Sequence, residues 1–304
     1  MSAAAGAPRF PMDELLRMYD EGDQNVHVLY KYRSCHPNNL DLLRTDRIWF
    51  STPSQLNDPF DCQLRLPRSI SVADIESVRN QVAAAEPFDQ NIRSPRKVAE
   101  FVGASKELPA LACIGLMASQ LGYSQLLKHI RRIDAHDDTW VRDLIMMARE
   151  VVEYLLKDIT VFCVSERKDH PLMWAHYAES HAGFCVGYIC PVGIDNPRII
   201  HKVTYAETPP SISCWQLIED PGAVHRDLVV TKTSPWSYER EWRITFGNMA
   251  GPVEVLLPYR EIIFGAKMAE ADEARVRDAV GNRNINFCRA VLDGTSGTIG
   301  VLPA

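Results

Sequence analysis

Two glutamates one residue apart, Glu239 and Glu241, lie in SPWSYEREWRITFG (residues 234–247), a stretch that otherwise reads as a β-strand. Period-two alternation over 238–246 places Tyr238, Trp242, Ile244 and Phe246 on one face and Glu239, Glu241, Arg243 and Thr245 on the other; Arg240 breaks the pattern. With the aromatic face in the core, both carboxylates project together. Like charges on one strand face repel unless a cation or a substrate lies between them, so the arrangement calls for a cross-strand Lys or Arg, or for a ligand.

A second group is HPLMWAHYAESHAGFCVGY, where His170, Trp174, His176, Tyr177 and His181 fall within a dozen residues. On a helix Met173 and Tyr177 share one face with Trp174 beside them, and His176 and Ser180 share another. Such aromatics either fill a core or stack a planar ring and offer hydrogen bonds beside it. A third group joins LYKYRS to IWFSTPSQLNDPFD. Tyr30 and Tyr32 share a strand face, and Lys31 and Arg33 point the other way, as an ordinary solvated face or as cations for a diphosphate or the glutamates.

The elements that must position these groups follow from local pattern. Residues 1–25 form an N-terminal arm with one short helix, MDELLRMYDEG, closed by Gly22. VHVLYKYR (26–33) is a strand, Asn38 caps the helix NLDLLRT, RIWFST returns as a strand, and NDPFD turns. Residues 69–157 change to helical periodicity, opened by Ser71-x-x-Asp74. ITVFCVS (159–165) resumes the strands, and Asp169 caps a helix with Pro171 in its first turn. GFCVGYIC, RIIHKVTYA, the glutamate strand, VEVLLP and EIIFG follow, then a helix ending at Gly281 and two closing strands. The expected class is α+β, with a mixed or antiparallel (split) β-sheet core in one domain over 26–304 and a large all-helical insertion over about 69–157.

Composition narrows the function. At 304 residues and 46% hydrophobic, the chain buries a substantial core, and its net charge of -6 argues against a broad nucleic-acid or acidic-lipid footprint. No apolar run reaches the roughly 20 residues of a membrane helix. The N-terminus has no signal core, so the expectation is a cytoplasmic protein without a membrane partner. The eight cysteines show no CxxC pair and the nine histidines no HExxH, which predicts buried thiols and no metal. GxGxxG and GxxxxGK[ST] are both missing from the sequence.

Taken in order, LYKYRS, WFSTPSQLNDPFD, FCVSE, PLMWAHYAESHAGFCVGY and WSYEREWR resemble the bacterial family known as domain of unknown function 2971, over most of residues 27–265. That resemblance implies a phage-defence or toxin-like setting. The same order of elements is more distantly similar to the ADP-ribosyltransferase superfamily. Carried over, that similarity implies Lys31 or Arg33 in the place of the first-strand basic residue and Ser51 and Thr52 as the first two residues of a Ser-Thr-Ser element, with Pro53 departing at the third. It implies Glu239 and Glu241 as the Glu-x-Glu, Glu241 being the catalytic carboxylate.

The implied chemistry is cleavage of NAD, as substrate, with transfer of ADP-ribose to an acceptor macromolecule, protein or nucleic acid, or to water. Glu241 would hold the ribose 2-hydroxyl as an oxocarbenium-like charge develops. Glu239 would orient or deprotonate the acceptor. Tyr32, Trp174 or Tyr177 would stack the nicotinamide with His176 nearby, and Lys31 or Arg33 would neutralise the pyrophosphate. Two other readings stand beside this one. A metal-dependent nuclease would use Asp58, Asp61, Glu166 and Lys168, and a non-catalytic sensor or interaction module would pair both glutamates with cations and bury the aromatics as core. The sequence sets no oligomeric state.

Overall fold

The computed structural model describes residues 12–63, 71–77, 145, 149, 152–153, 155–192, 200–219, 221–247, 249–254 and 257–304. Most of the helical insertion expected over 69–157 falls outside these residues. Within it 72–77 are helical, and Ser71 Oγ accepts the Asp74 amide at 3.1 Å while Asp74 Oδ2 accepts the Ser71 amide at 2.9 Å, the N-terminal cap expected of Ser-x-x-Asp. The chain divides into two compact units, one of residues 1–57, 159–207 and 232–304, the other of 58–158 and 208–231.

The first unit is built on an eight-stranded sheet. Its strands, in spatial order, are β12 (Thr298–Pro303), β11 (Asn286–Asp293), β10 (Tyr259–Phe264), β4 (Phe184–Pro191), β1 (Val26–Arg33), β3 (Ile159–Ser165), β8 (Glu241–Gly247) and β5 (Ile200–Lys202). Neighbours run antiparallel except β10 and β11, which are parallel and joined through the helix Glu270–Val280, so the class is α+β with a mixed sheet. β4 is buried along its whole length, as a central strand covered on both faces must be. One face packs Leu29, Phe162, Val186, Ile262 and Phe264 against Leu40, Leu43, Val276 and Val280. The other packs Tyr30, Tyr32, Cys185 and Ile263 against Met173 and Trp174.

The sheet is split between β1 and β3, which share the ladder pair Tyr30↔Ser165. Further along β3 it is Ser51, just past β2 (Arg47–Phe50), that bridges to Val161, with N–O distances of 2.9 and 2.8 Å. In the gap the Lys31 ammonium donates to the Cys163 carbonyl at 2.8 Å, taking the place of a ladder amide. β2 pairs with β9 (Gly251–Glu254), and β6 (Thr204–Ala206) and β7 (Thr231–Thr233) form a second separate pair.

Three local expectations need correction. The cap of the helix Pro37–Arg44 is His36, whose side chain accepts the Asn38 amide. The helix Pro171–Tyr177 is preceded by His170, because Asp169 turns to Arg167 at 3.2 Å. The glutamate strand starts only at Glu241: Ser234–Glu239 is a 3-10 helix, entered through Pro235, which suits a first turn that needs no amide there. Arg240 ends that turn in the left-handed region, φ 43° and ψ 54°.

Each described cysteine is unbridged, and Cys185 and Cys190 are fully buried. The turn from the helix Pro171–Tyr177 into β4 carries Glu179, Ser180 and His181 at φ 51°, 53° and 75°, and a Cβ on Gly183 just beyond would collide with the Arg33 carbonyl. Left-handed backbone costs a non-glycine residue about 1 kcal/mol or more. Ser180→Gly is therefore expected to raise the unfolding free energy by up to about 1 kcal/mol in a urea titration; a loss would mean that the serine side chain itself holds the turn.

Candidate active site

The site is assembled from four neighbouring segments of the first unit: the start of β8, the 3-10 turn before it, the short β7 and the helix Pro171–Tyr177. Lys232, on β7, lies between the two carboxylates, its Nζ 2.6 Å from Glu239 Oε2 and 3.2 Å from Glu241 Oε2. Glu239 and Glu241 are each 4% exposed and Lys232 6%. The repulsion that the sequence pattern raised is answered by a buried cation from another strand.

Beyond Lys232 the two carboxylates differ. Glu241 Oε1 accepts from Arg243 Nε at 2.9 Å and Oε2 from Arg243 Nη2 at 3.1 Å, a bidentate pair in which the arginine is fully buried. With Lys232, three donors occupy three of the roughly four lone-pair positions of this carboxylate. Glu239 Oε1 accepts from the Tyr177 hydroxyl at 2.5 Å, and that hydroxyl accepts from Asn57 Nδ2 at 2.9 Å. The turn carrying Glu239 is fixed to β3 by Ser165, whose hydroxyl donates to the Glu239 carbonyl.

These surroundings push the two carboxyls apart. Burial works against the Glu241 charge, but the Arg243 guanidinium and the Lys232 ammonium outweigh it and hold the group well below the ordinary glutamate range. At Glu239 burial wins: its proton affinity is raised, with Lys232 opposing and the Glu241 charge adding to the rise. The two carboxyls are thus pushed in opposite directions, the kind of asymmetry found in acid–base sites. Burial, and then the Glu239 charge, raise the Tyr177 hydroxyl, which keeps it a donor.

Aromatic side chains surround Glu239 and its lysine. Lys232 Nζ sits 4.7 Å from the Trp236 ring centre, and Tyr238 stacks on His170 with centres 5.2 Å apart and planes at 18°. His176 stands exposed between Tyr177 and Tyr238, at 6.2 and 6.4 Å.

Of the residues singled out in the sequence, Glu239, Glu241 and Tyr177 come together here, with His176 at the margin. Trp174 is fully buried, edge-on to Tyr32, and donates to the Lys168 carbonyl; the Tyr32 hydroxyl donates to the Arg167 carbonyl. Lys31 lies in the sheet gap over the Phe162 ring, its ammonium pulled below the ordinary lysine value by burial. Arg33 donates to Asn39. Ser51 bridges to Val161 through its backbone, and Thr52 caps the turn Pro53–Gln55. Lys232 and Asn57 were missed because a lone lysine in TKT and an asparagine in a turn show no periodicity. The stranded charge repulsion of Glu239 and Glu241 was the one hint that such a lysine had to exist.

The nuclease set divides between the two units, Glu166 and Lys168 in the first and Asp58 and Asp61 in the second. Glu166 accepts from Lys202 at 2.6 Å and from Trp242 Nε1 at 2.9 Å, and Lys168 pairs with Glu261 at 3.1 Å. Asp58 and Asp61 are buried, and Asp58 accepts the Phe60 amide. Among the described residues no group of three or more His, Cys, Asp or Glu side chains could hold a metal ion. Among them, too, no helix is long and apolar enough to cross a membrane.

Comparison with known proteins gives one family match over part of the chain and no activity. No curated protein and no solved structure matches the chain. Residues 173–244 match the family described as Protein of unknown function (DUF2971), and that matched stretch carries Tyr177, Lys232, Glu239, Glu241 and Arg243.

Proposed function

We propose that the protein is an enzyme of the ADP-ribosyltransferase kind that cleaves NAD at the nicotinamide–ribose bond and passes ADP-ribose to a hydroxyl of an acceptor macromolecule or to water. The observation that supports it most is the carboxyl pair on one lysine, with one member held ionised and the other raised. In the reaction the C1′–N1 bond breaks with its electron pair going to the nicotinamide nitrogen, and an oxygen of the acceptor forms the new bond to C1′. The acceptor's proton goes to Glu239, for which a raised proton affinity makes a stronger base.

The superfamily similarity would give the leading role to Glu241. The contacts favour the reverse assignment, because both oxygens of Glu241 are already engaged by charged donors, Arg243 through two nitrogens and Lys232. Glu241 then fixes Lys232, which fixes Glu239. The rings offered to a nicotinamide are Trp236, which packs on Lys232, and its neighbour Tyr238, rather than the buried Trp174 and Tyr32. The toxin or phage-defence setting is a proposal that follows from the family resemblance alone.

The test is release of nicotinamide from NAD by the purified protein, with and without cell lysate as a source of acceptor. Release that rises with lysate is the expected result. No release under either condition, together with no binding of NAD, overturns the reading. A second reading is favoured by one observation, the engagement of both oxygens of both carboxylates within the fold: the network then serves as a structural centre in a non-catalytic module. Glu239→Gln separates the two, since loss of stability without any activity to lose supports the module.

A further inference from the structure

Arg240, the residue that broke the strand pattern, lies between the two glutamates yet faces away from their network. Its left-handed backbone is fixed by an amide donated to the Ser237 carbonyl at 3.3 Å and a carbonyl that accepts the Glu166 amide at 3.1 Å. A non-glycine residue holds that conformation only where its surroundings impose it, and such positions gather at functional sites. Its consequence here is directional: Glu239 and Glu241 turn inward to Lys232, and Arg240 turns into an open groove.

That groove holds about 320 Å³ and is lined by Tyr30, Glu166, Arg167, Lys168, Asp169 and Arg240. The size is that of a small-molecule site. Its charges are matched except at one point. Glu166 is engaged by Lys202 and Trp242, Asp169 by Arg167, and Lys168 by Glu261. The Arg240 guanidinium has no ion pair among the described residues, while its charge is felt at Glu166. The groove also adjoins the carboxylates on the same side of the sheet: Tyr30 pairs with Ser165, and Ser165 with Glu241, so the groove floor and Glu241 are two strand spacings apart, about 10 Å.

We propose that this groove is a binding subsite for a phosphate-bearing group, with Arg240 as the anchoring residue. A guanidinium presents a planar fork that matches two phosphate oxygens at once, and with Arg167 paired to Asp169 and Lys168 to Glu261 it is Arg240 whose charge is left to meet an anion. The further identification of the group as the diphosphate of NAD rests on the reading of the glutamate pair given above; the binding of phosphate oxygens at Arg240 does not. In that arrangement the diphosphate lies over the loop Glu166–Asp169 while the scissile bond lies at Glu239.

The experiment is titration calorimetry of the full-length protein with inorganic pyrophosphate, on the wild type, Arg240→Gly, Arg240→Asn and Arg240→Lys. Glycine and asparagine accept the left-handed backbone, so both variants are expected to melt at or above the wild-type temperature. Both should bind pyrophosphate about 10- to 100-fold more weakly, the loss of a charged bidentate contact, and Arg240→Lys should recover part of the affinity. Equal affinity in folded wild type and Arg240→Gly, or no binding by the wild type at millimolar pyrophosphate, overturns the subsite. Nicotinamide release separates the two proposals. Arg240-dependent pyrophosphate binding without any NAD cleavage retains the subsite and removes the NAD reading; cleavage with an Arg240→Gly KM for NAD equal to that of wild type retains the NAD reading and overturns the identification of the bound group as its diphosphate.

Discussion

Glu241→Gln is expected to lower the unfolding free energy by about 3 to 5 kcal/mol, the cost of removing one partner from a buried ion pair. The size follows from what the carboxylate holds. Arg243 is fully buried and reaches it with two nitrogens, and Lys232 is 6% exposed. A glutamine keeps the shape but gives Arg243 no countercharge, and its amide hydrogens point donors at donors. A urea titration at neutral pH checks this. A loss below about 1 kcal/mol, the range of exposed pairs, would mean that Glu241 is far more hydrated than its 4% exposure indicates.

Glu239→Gln is expected to do the reverse, cutting NAD cleavage by about 10² to 10⁴-fold, the usual contribution of a positioned base. Its effect on stability is smaller than that of Glu241→Gln. Lys232 retains Glu241 as a partner, and a glutamine oxygen still accepts the Tyr177 hydroxyl. Steady-state nicotinamide release, with melting temperature as the control for folding, measures both effects. A variant that cleaves NAD as the wild type does would move the base elsewhere.

The two carboxyls also oppose each other in the pH dependence of stability. Glu241 is depressed on folding, so its contribution is present above the ordinary glutamate value and is lost as pH falls below it towards the depressed one. Glu239 is raised, so its contribution is complete below the ordinary value and is lost as pH rises through the raised one. Removing Glu239 removes the second slope. The stability of Glu239→Gln relative to wild type should therefore improve between about pH 4 and pH 8, and denaturant titrations at those limits check it; a constant difference would mean that Glu239 is not raised at all.

Much of the fold was legible because strong local patterns decided it. VHVLYKYR and ITVFCVS are β1 and β3 to the residue, since runs of β-branched and aromatic side chains between turn signals leave no competing structure. The glutamate strand failed at its start for a reason also written locally: Pro235 favours a helical turn, and the misfit at Arg240 marked where that turn ends rather than a blemish in a strand. Alternation did hold from Glu241 onward, with Trp242, Ile244 and Phe246 against the main core. What remained invisible was the partnership across the chain. Lys232 is joined to Glu241 by the folding of β7, a strand of three residues, and Lys31 is bound to Cys163 by a split in the sheet. Neither has a periodic signature, because each is set by tertiary packing.

The most direct measurement is a carbon-detected NMR titration of the glutamate side-chain carboxyls, with Glu239→Gln and Glu241→Gln spectra to assign the two signals. The expected result is that Glu239 titrates above the ordinary glutamate value while Glu241 stays ionised to the lowest pH at which the fold persists. Two signals titrating together near that ordinary value, or Glu241 taking up its proton before Glu239, would contradict the division of roles between them.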